Sequence, residues 1–273
     1  MLTIQNNLYI CTILNISIMV TISVMNQKGG VGKSTSTRNI GAFFALQGYK
    51  TLMIDIDAQA NLSQISNIPD DVQVTILNAF RNSMPQIYEV SENLFIIPSS
   101  LSFAGIEIEI NAAPQPDMFL FNLVNTVSQN FDICLIDCPP AINIITTNAL
   151  AASQWVLIPM EASKLAFNGL EMMLNVISIV RQGLNPDLSV LGAFINKYKD
   201  KTIVARDILS QMKAKGIDIA LFQTRIRQFE DFKKAELNNQ SIFEFAAGSL
   251  SASDYRNLGH EIVAKLKVNQ SIM

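Results

Sequence analysis

Residues 26–35 read Asn-Gln-Lys-Gly-Gly-Val-Gly-Lys-Ser-Thr, with glycines at 29, 30 and 32 followed directly by Lys33, Ser34 and Thr35. This spacing fits a phosphate-binding loop of the form G-x-x-x-x-G-K-[ST]. In such a loop backbone N–H groups surround phosphate oxygens, the lysine reaches the β- and γ-phosphates, and the hydroxyl ligates Mg2+. Gly32, Lys33 and Ser34 match the pattern, while Gln27 stands at the first glycine position. Gly29, Gly30, Val31, Gly32, Lys33, Ser34 and Thr35 are the candidate nucleotide contacts, with Ser34 also a candidate metal ligand.

Three aspartates extend this chemistry. Asp55 and Asp57 close an apolar run and, being two apart in an extended segment, are expected to point the same way. Asp137 ends a second apolar run. Carboxylates at strand ends beside a phosphate site suit Mg2+ and the positioning of a water, because phosphoryl transfer needs positioning and charge neutralisation more than a strong base. Other chemistries lack their parts. The single His260 sits far along the chain in a helical pattern, so a Ser-His-Asp arrangement has no support. Cys134 and Cys138 have no further Cys or nearby His to complete a metal set. Three cysteines in all cannot form a disulfide framework and suit a reducing compartment.

The elements that must carry these residues follow from the apolar runs. Thr21–Met25, Thr51–Ile56, Leu94–Pro98, Phe131–Ile136, Trp155–Pro159, Ser189–Ile195 and Ile217–Phe222 scarcely alternate with polar residues. That pattern marks strands covered on both faces, as in a parallel sheet. Helices are expected from Ser34 to Gly48 and over about 75–82, 101–112, 117–129, 143–152, 168–182, 202–215 and 253–268. Strand–helix alternation predicts a doubly wound α/β fold, a mostly parallel sheet with helices on both faces, whose ligands bind beyond the carboxyl ends of the strands. Of the 273 residues 49% are hydrophobic and only 16% are charged, against about 25% charged in an ordinary soluble domain. A two-face-buried sheet accounts for that deficit without a membrane span. The first charge is Lys28, but the polar residues scattered through the uncharged start argue against a span, and no positive n-region marks a secretory signal. Residues 19–273 are expected to form one domain, with 1–18 an extension outside its core and Met19 the working start.

Lys28-Gly29-Gly30 followed by Lys33-Ser34 is the deviant Walker A pattern, and the chain resembles the ParA/MinD family of dimerising P-loop ATPases. Asp55-Ile56-Asp57-Ala58-Gln59-Ala60-Asn61 is similar to the family's D-x-D-P-Q-x-N block, with Ala58 in place of proline. Residues 131–140 resemble its Walker B segment, and the likeness continues in order to about Leu266. The resemblance implies an ATPase using ATP and Mg2+, slow until stimulated. It implies that Lys28 reaches across a sandwich dimer to the partner's phosphates, that Lys33 and Asp57 serve catalysis, and that Asp57 orients the attacking water. It further implies that Asp55 and Asp137 serve the metal and that Asn196 reads adenine.

Charge is unevenly spread. Residues 1–195 carry a net −7 and residues 196–273 a net +4. ParA proteins bind DNA without sequence preference through basic residues, which makes Lys201, Arg206, Arg225, Arg227, Lys233 and Lys234 the candidate DNA contacts. The resemblance thus implies a cytoplasmic, nucleoid-associated homodimer. Its partners are non-specific DNA and a ParB-like centromere-binding or adaptor protein, and its task is to segregate or position plasmid or chromosomal DNA. Two alternatives use the same fold: a MinD-like ATPase acting on a membrane surface without stable insertion, and a small-molecule amidotransferase or synthetase. The last helix places Tyr255, Leu258, Ile262, Val263 and Leu266 on one face, which suits core packing better than a lipid surface because its polar face has few cations.

Overall fold

The structure is a computed structural model that describes residues 19–161, 166–199, 210, 212–214 and 216–270; of 166–168 and 268–270 only the backbone is described. The expected extension 1–18, the greater part of the helix expected over 202–215, Lys201 and Arg206 lie outside the described residues.

Eight strands form one sheet in the order β3-β4-β2-β5-β1-β6-β7-β8. They are β1 (Val20–Val24), β2 (Thr51–Asp55), β3 (Tyr88–Ser91), β4 (Leu94–Ile97), β5 (Ile133–Asp137), β6 (Trp155–Glu161), β7 (Ser189–Tyr198) and β8 (Leu221–Arg227). Every pairing is parallel except β3 with β4. All residues of β1, β2 and β5 are buried, which is why their sequences do not alternate. Successive residues feed different cores: Leu52 and Ile54 pack on one side of the sheet, Met53 on the other. The scarcity of charge is thus the composition of a sheet covered on both faces.

The polar atoms of the central strand are satisfied internally. Ser23 Oγ lies 2.8 Å from Ser153 Oγ, and the Thr21 N–H donates to Gln154 Oε1 at 2.6 Å. On one face lie α1 (Lys33–Leu46) and the last described helix, here αC (Leu250–Gln270). The two pack closely because residue 259 is glycine: a Cβ there would stand 2.3 Å from the Phe43 ring. His260 meets the same ring edge-on at 5.1 Å between centroids, so the lone histidine is a packing residue. Tyr255, Leu258, Ile262 and Leu266 are all buried, so the apolar stripe of αC faces the core.

Several boundaries depart from expectation. Strand β3 has no counterpart among the expected strands because Tyr-Glu-Val-Ser is a half-exposed edge; its signal is the Glu92-Asn93 turn, with Asn93 at φ 61. The strand expected over Ile217–Phe222 is Leu221–Arg227. Paired among the described residues only with β7, it is an edge strand and carries Gln223, Arg225 and Arg227 among its apolar residues. The helix expected over 101–112 is a 3-10 turn (Leu101–Phe103) and a short helix (Ile106–Ile110), separated by Gly105 at φ 82.

Candidate active site

The phosphate loop runs from the end of β1 into α1. Asn26 braces its start: its side-chain amide donates to Pro159 O at 2.7 Å and its Oδ1 accepts the Lys28 N–H at 2.9 Å. Gly32 has φ 85, and a Cβ on it would stand 2.4 Å from Asn196 Nδ2, so both backbone and space demand glycine. The start of α1 has no side-chain cap and no acidic residue in its first turn. Its free N–H groups and positive end are left for an anion. Lys33 is only 8% exposed there, with Ser34 and Thr35 beside it.

A cavity of about 560 Å³ opens over this helix start, bordered by Gly29, Gly30, Gly32, Lys33, Ser34, Thr35, Asp57 and Asn196. Two parallel strands end beneath it with Asp55 and Asp137 in register. Their environments differ. Asp55 Oδ2 accepts both the Ser63 N–H (2.9 Å) and the Ser63 hydroxyl (2.7 Å), and Oδ1 accepts the Asp57 N–H (3.1 Å). Burial raises its carboxyl to about pH 6 against the pull of these donors. Both Asp137 oxygens are buried with no hydrogen-bond partner. Burial, reinforced by Asp55, raises the Asp137 carboxyl well above the usual range, while the facing Ser34 hydroxyl and Lys33 ammonium work the other way.

An orphaned buried carboxylate beside a serine hydroxyl and a phosphate site fits a hard cation. Ser34 and Asp137 are the residues that would hold Mg2+, and Asp55 would act from behind them. Among the described residues no three His, Cys, Asp or Glu side chains form a cage, in keeping with the habit of Mg2+ of retaining waters and phosphate oxygens. Asp57 lies past the end of β2, so the two-residue period of the strand does not hold at its position. It borders the cavity, whereas Asp55 turns to Ser63, which corrects the expectation that the two carboxylates point the same way. Cys134 and Cys138 are buried and their thiols raised by burial, so they pack rather than ligate.

The far wall comes from the end of β8 and the helix Glu230–Leu237 (αB). Arg227, Phe229, Phe232, Lys233, Glu236 and Tyr255 line it. Thr35 Oγ1 donates to Glu236, and Ser36 Oγ lies 3.0 Å from the Tyr255 hydroxyl, so this wall is bonded to α1. Two of the residues read as DNA contacts therefore face the nucleotide cavity. Arg227 is held by Asp254 (2.6 Å) with its guanidinium over Phe229, and Lys233 pairs with Glu230 at 3.3 Å. Arg225 lies over the Tyr198 ring at 5.0 Å, and Lys234 is exposed. Asn196 is brought to the loop as expected, but its amide donates to Val31 O at 2.7 Å. Lys28 precedes the cavity-lining Gly29 and is 46% exposed, paired with Glu161 at the end of β6. Glu161, Ser63 and Glu236 escaped the sequence reading, and Asn26, Phe229, Phe232 and Tyr255 were not read as site residues.

A phosphate loop on a doubly wound sheet, with a positive helix start and an orphaned carboxylate, defines a Mg2+-dependent P-loop ATPase. Residues 19–190 match the family model described as "AAA domain". The chromosome-partitioning ATPase Soj of Treponema pallidum is 34% identical over 247 residues, covering 90% of this chain and 97% of that one. The sporulation initiation inhibitor protein Soj of Bacillus subtilis is 32% identical, covering 89% and 98%. Among solved structures, cobyrinic acid a,c-diamide synthase of Mycobacterium smegmatis with bound ATP analogue and magnesium superposes with a TM-score of 0.79 at 27% identity, covering 91% and 96%. The chain belongs to the ParA family of partition ATPases.

Proposed function

We propose that this protein is a nucleotide-timed positioning ATPase in the cytoplasm, associated with the nucleoid. ATP joins two copies across their cavity mouths, the joined pair holds DNA without regard to sequence, and a ParB-like centromere-binding or adaptor protein triggers hydrolysis and release. The observation that carries this reading is the placement of Lys28. It is not built into the phosphate cradle as the buried Lys33 is; it stands at the start of the loop, 46% exposed, in an ion pair with Glu161. Such a pair is worth about 0–1 kcal/mol, so the lysine is readily released to reach a facing molecule. Within one copy, Lys33 and the α1 N–H groups neutralise the phosphates, and Asp57 holds the attacking water in line. Mg2+, held through Ser34 and Asp137, supplies charge neutralisation. Arg225 and Lys234, with the lysines and arginine of 199–206, supply the sequence-independent phosphate contacts.

Lys28→Ala should abolish ATP-dependent dimerisation, measured by light scattering, and ATP-dependent DNA retention together. Unchanged dimerisation and DNA binding would overturn the reading. The membrane-surface alternative is disfavoured because the apolar face of αC is spent on the core. Among the described residues no helix is long and apolar enough to cross a membrane. ATP-dependent sedimentation with anionic liposomes would revive it. The likeness to the diamide synthase keeps one further test in place: turnover that requires a small metabolite rather than DNA and a protein partner would move the protein to that class.

A further inference from the structure

A loop that offers N–H groups to phosphate must turn its carbonyls away, and those carbonyls need partners on the other side. Here the partners come from two consecutive residues at the end of β7. Asn196 Nδ2 donates to Val31 O at 2.7 Å, and Lys197 Nζ donates to Gly30 O. The two prongs are locked to each other, because Asn196 Oδ1 accepts the Lys197 N–H at 2.9 Å. That bond accompanies an uncommon backbone: Lys197 sits at φ 52, a left-handed conformation that a lysine adopts only when its surroundings impose it. The base is firm, since Asn196 is 4% exposed and lies opposite Glu161 in the β6–β7 register. Glu161 Oε1 is also 3.9 Å from Lys197 Nζ.

Val31 is buried and anchors the loop on one side, but the two glycines before it have no side chain to hold them. An added Cβ at Gly29 or Gly30 would meet nothing within 4 Å, so side-chain packing does not fix the orientation of these peptides. A flip of the Gly30–Val31 peptide would aim a carbonyl lone pair at the phosphates. We propose that Lys197, with Asn196, is a positioning residue that pins two successive carbonyls of the phosphate loop outward and so presets the loop for the nucleotide. The inference rests on the ATPase chemistry of the site and is independent of dimerisation or DNA binding.

The test uses the full chain and a fluorescent ADP titrated in the presence of Mg2+, beside steady-state ATPase kinetics and the melting temperature without nucleotide. Lys197→Gly keeps the left-handed turn and removes the amine; Lys197→Arg keeps a cation. Lys197→Gly should raise the dissociation constant about tenfold, the loss of roughly one charge-assisted hydrogen bond, with KM rising in parallel and kcat changing by less than about threefold. Its melting temperature should hold or rise, because glycine relieves the left-handed backbone. Lys197→Arg should bind within about threefold of the unaltered protein. Wild-type affinity in Lys197→Gly would overturn the proposal, as would failure of the arginine to restore binding. A melting temperature that falls with the affinity would overturn it too, by making Lys197 merely structural. A loss confined to kcat would place Lys197 in the chemical step and overturn it equally.

Discussion

The two walls of the cavity are built on different plans. The phosphate wall is local: one ten-residue loop, the first turn of α1, and aspartates at the ends of adjoining parallel strands. The opposite wall gathers Arg227, Phe229, Phe232, Glu236 and Tyr255 from an edge strand, the turn after it and two helices, joined to α1 by hydroxyl contacts. The first wall holds the groups that neutralise and align. The second is aromatic and amphipathic, suited to the flat apolar face and polar rim of a nucleoside. We expect the second wall to act chiefly on nucleotide affinity, while the first acts on affinity through its loop and on turnover through Asp57.

Four substitutions sharpen or break that division. The largest effect is expected from Asp57→Ala. Turnover at saturating ATP should fall about 10²–10⁴-fold, the usual span for a lost proton-handling or water-orienting group, while nucleotide affinity stays within a few-fold. Phosphate release and an equilibrium titration check it together. Phe232→Ala should do the reverse and raise the dissociation constant for ATP about tenfold, as the loss of one base-stacking ring does, with kcat at saturation largely kept. A collapse of kcat in Phe232→Ala would erase the distinction between the walls. Ser63→Ala probes what lies beneath the phosphate wall. It removes the hydroxyl that meets Asp55 at 2.7 Å and accepts the Ser99 N–H at 2.9 Å. Denaturant unfolding should show a loss of about 1.5–3 kcal/mol, the range for hydrogen bonds to a charged group. The smallest effect is expected at the rim: Glu161→Gln frees Lys28 from an exposed pair and should shift ATP-dependent association by no more than about fivefold.

The same contrast explains what could be read from the chain. The phosphate wall was legible because its parts are contiguous or sit at fixed places after apolar runs; Gly32-Lys33-Ser34 and Asp137 announce themselves. Strands β1, β2, β4, β5 and β6 were legible because burial on both faces leaves unbroken apolar runs. The edges were not: β3 and β8 keep one side toward solvent, so polar residues interrupt them. The opposite wall was hidden for a different reason. Arg227 looks like a surface cation until Asp254, twenty-seven residues on, and Phe229 hold it at the cavity, and Lys233 lines the same cavity while staying exposed and paired with Glu230. Nothing local distinguishes a lysine bound for solvent from one at the lip of a cavity. Asn196 was found for its position, yet its bond to Val31 O needed the three-dimensional path of β7. Ser63 was invisible because a serine six residues past Asp57 carries no signature of the carboxylate it serves.

The contact between α1 and αC also orders events in time. Ser36 and Tyr255, bonded hydroxyl to hydroxyl, are 219 residues apart in the chain. During synthesis the phosphate loop leaves the ribosome well before the helix that seats behind it. A nascent chain therefore exposes the Phe43 face of α1 and an open half-site while the intervening residues are made, and completes its nucleotide pocket only once αC has emerged. Long-range closure of this kind slows folding, and translation at about 5–20 residues per second leaves an interval of ten seconds or more. A chaperone that shields apolar helix faces would find its substrate in that interval, and ATP would meet a finished pocket only afterwards.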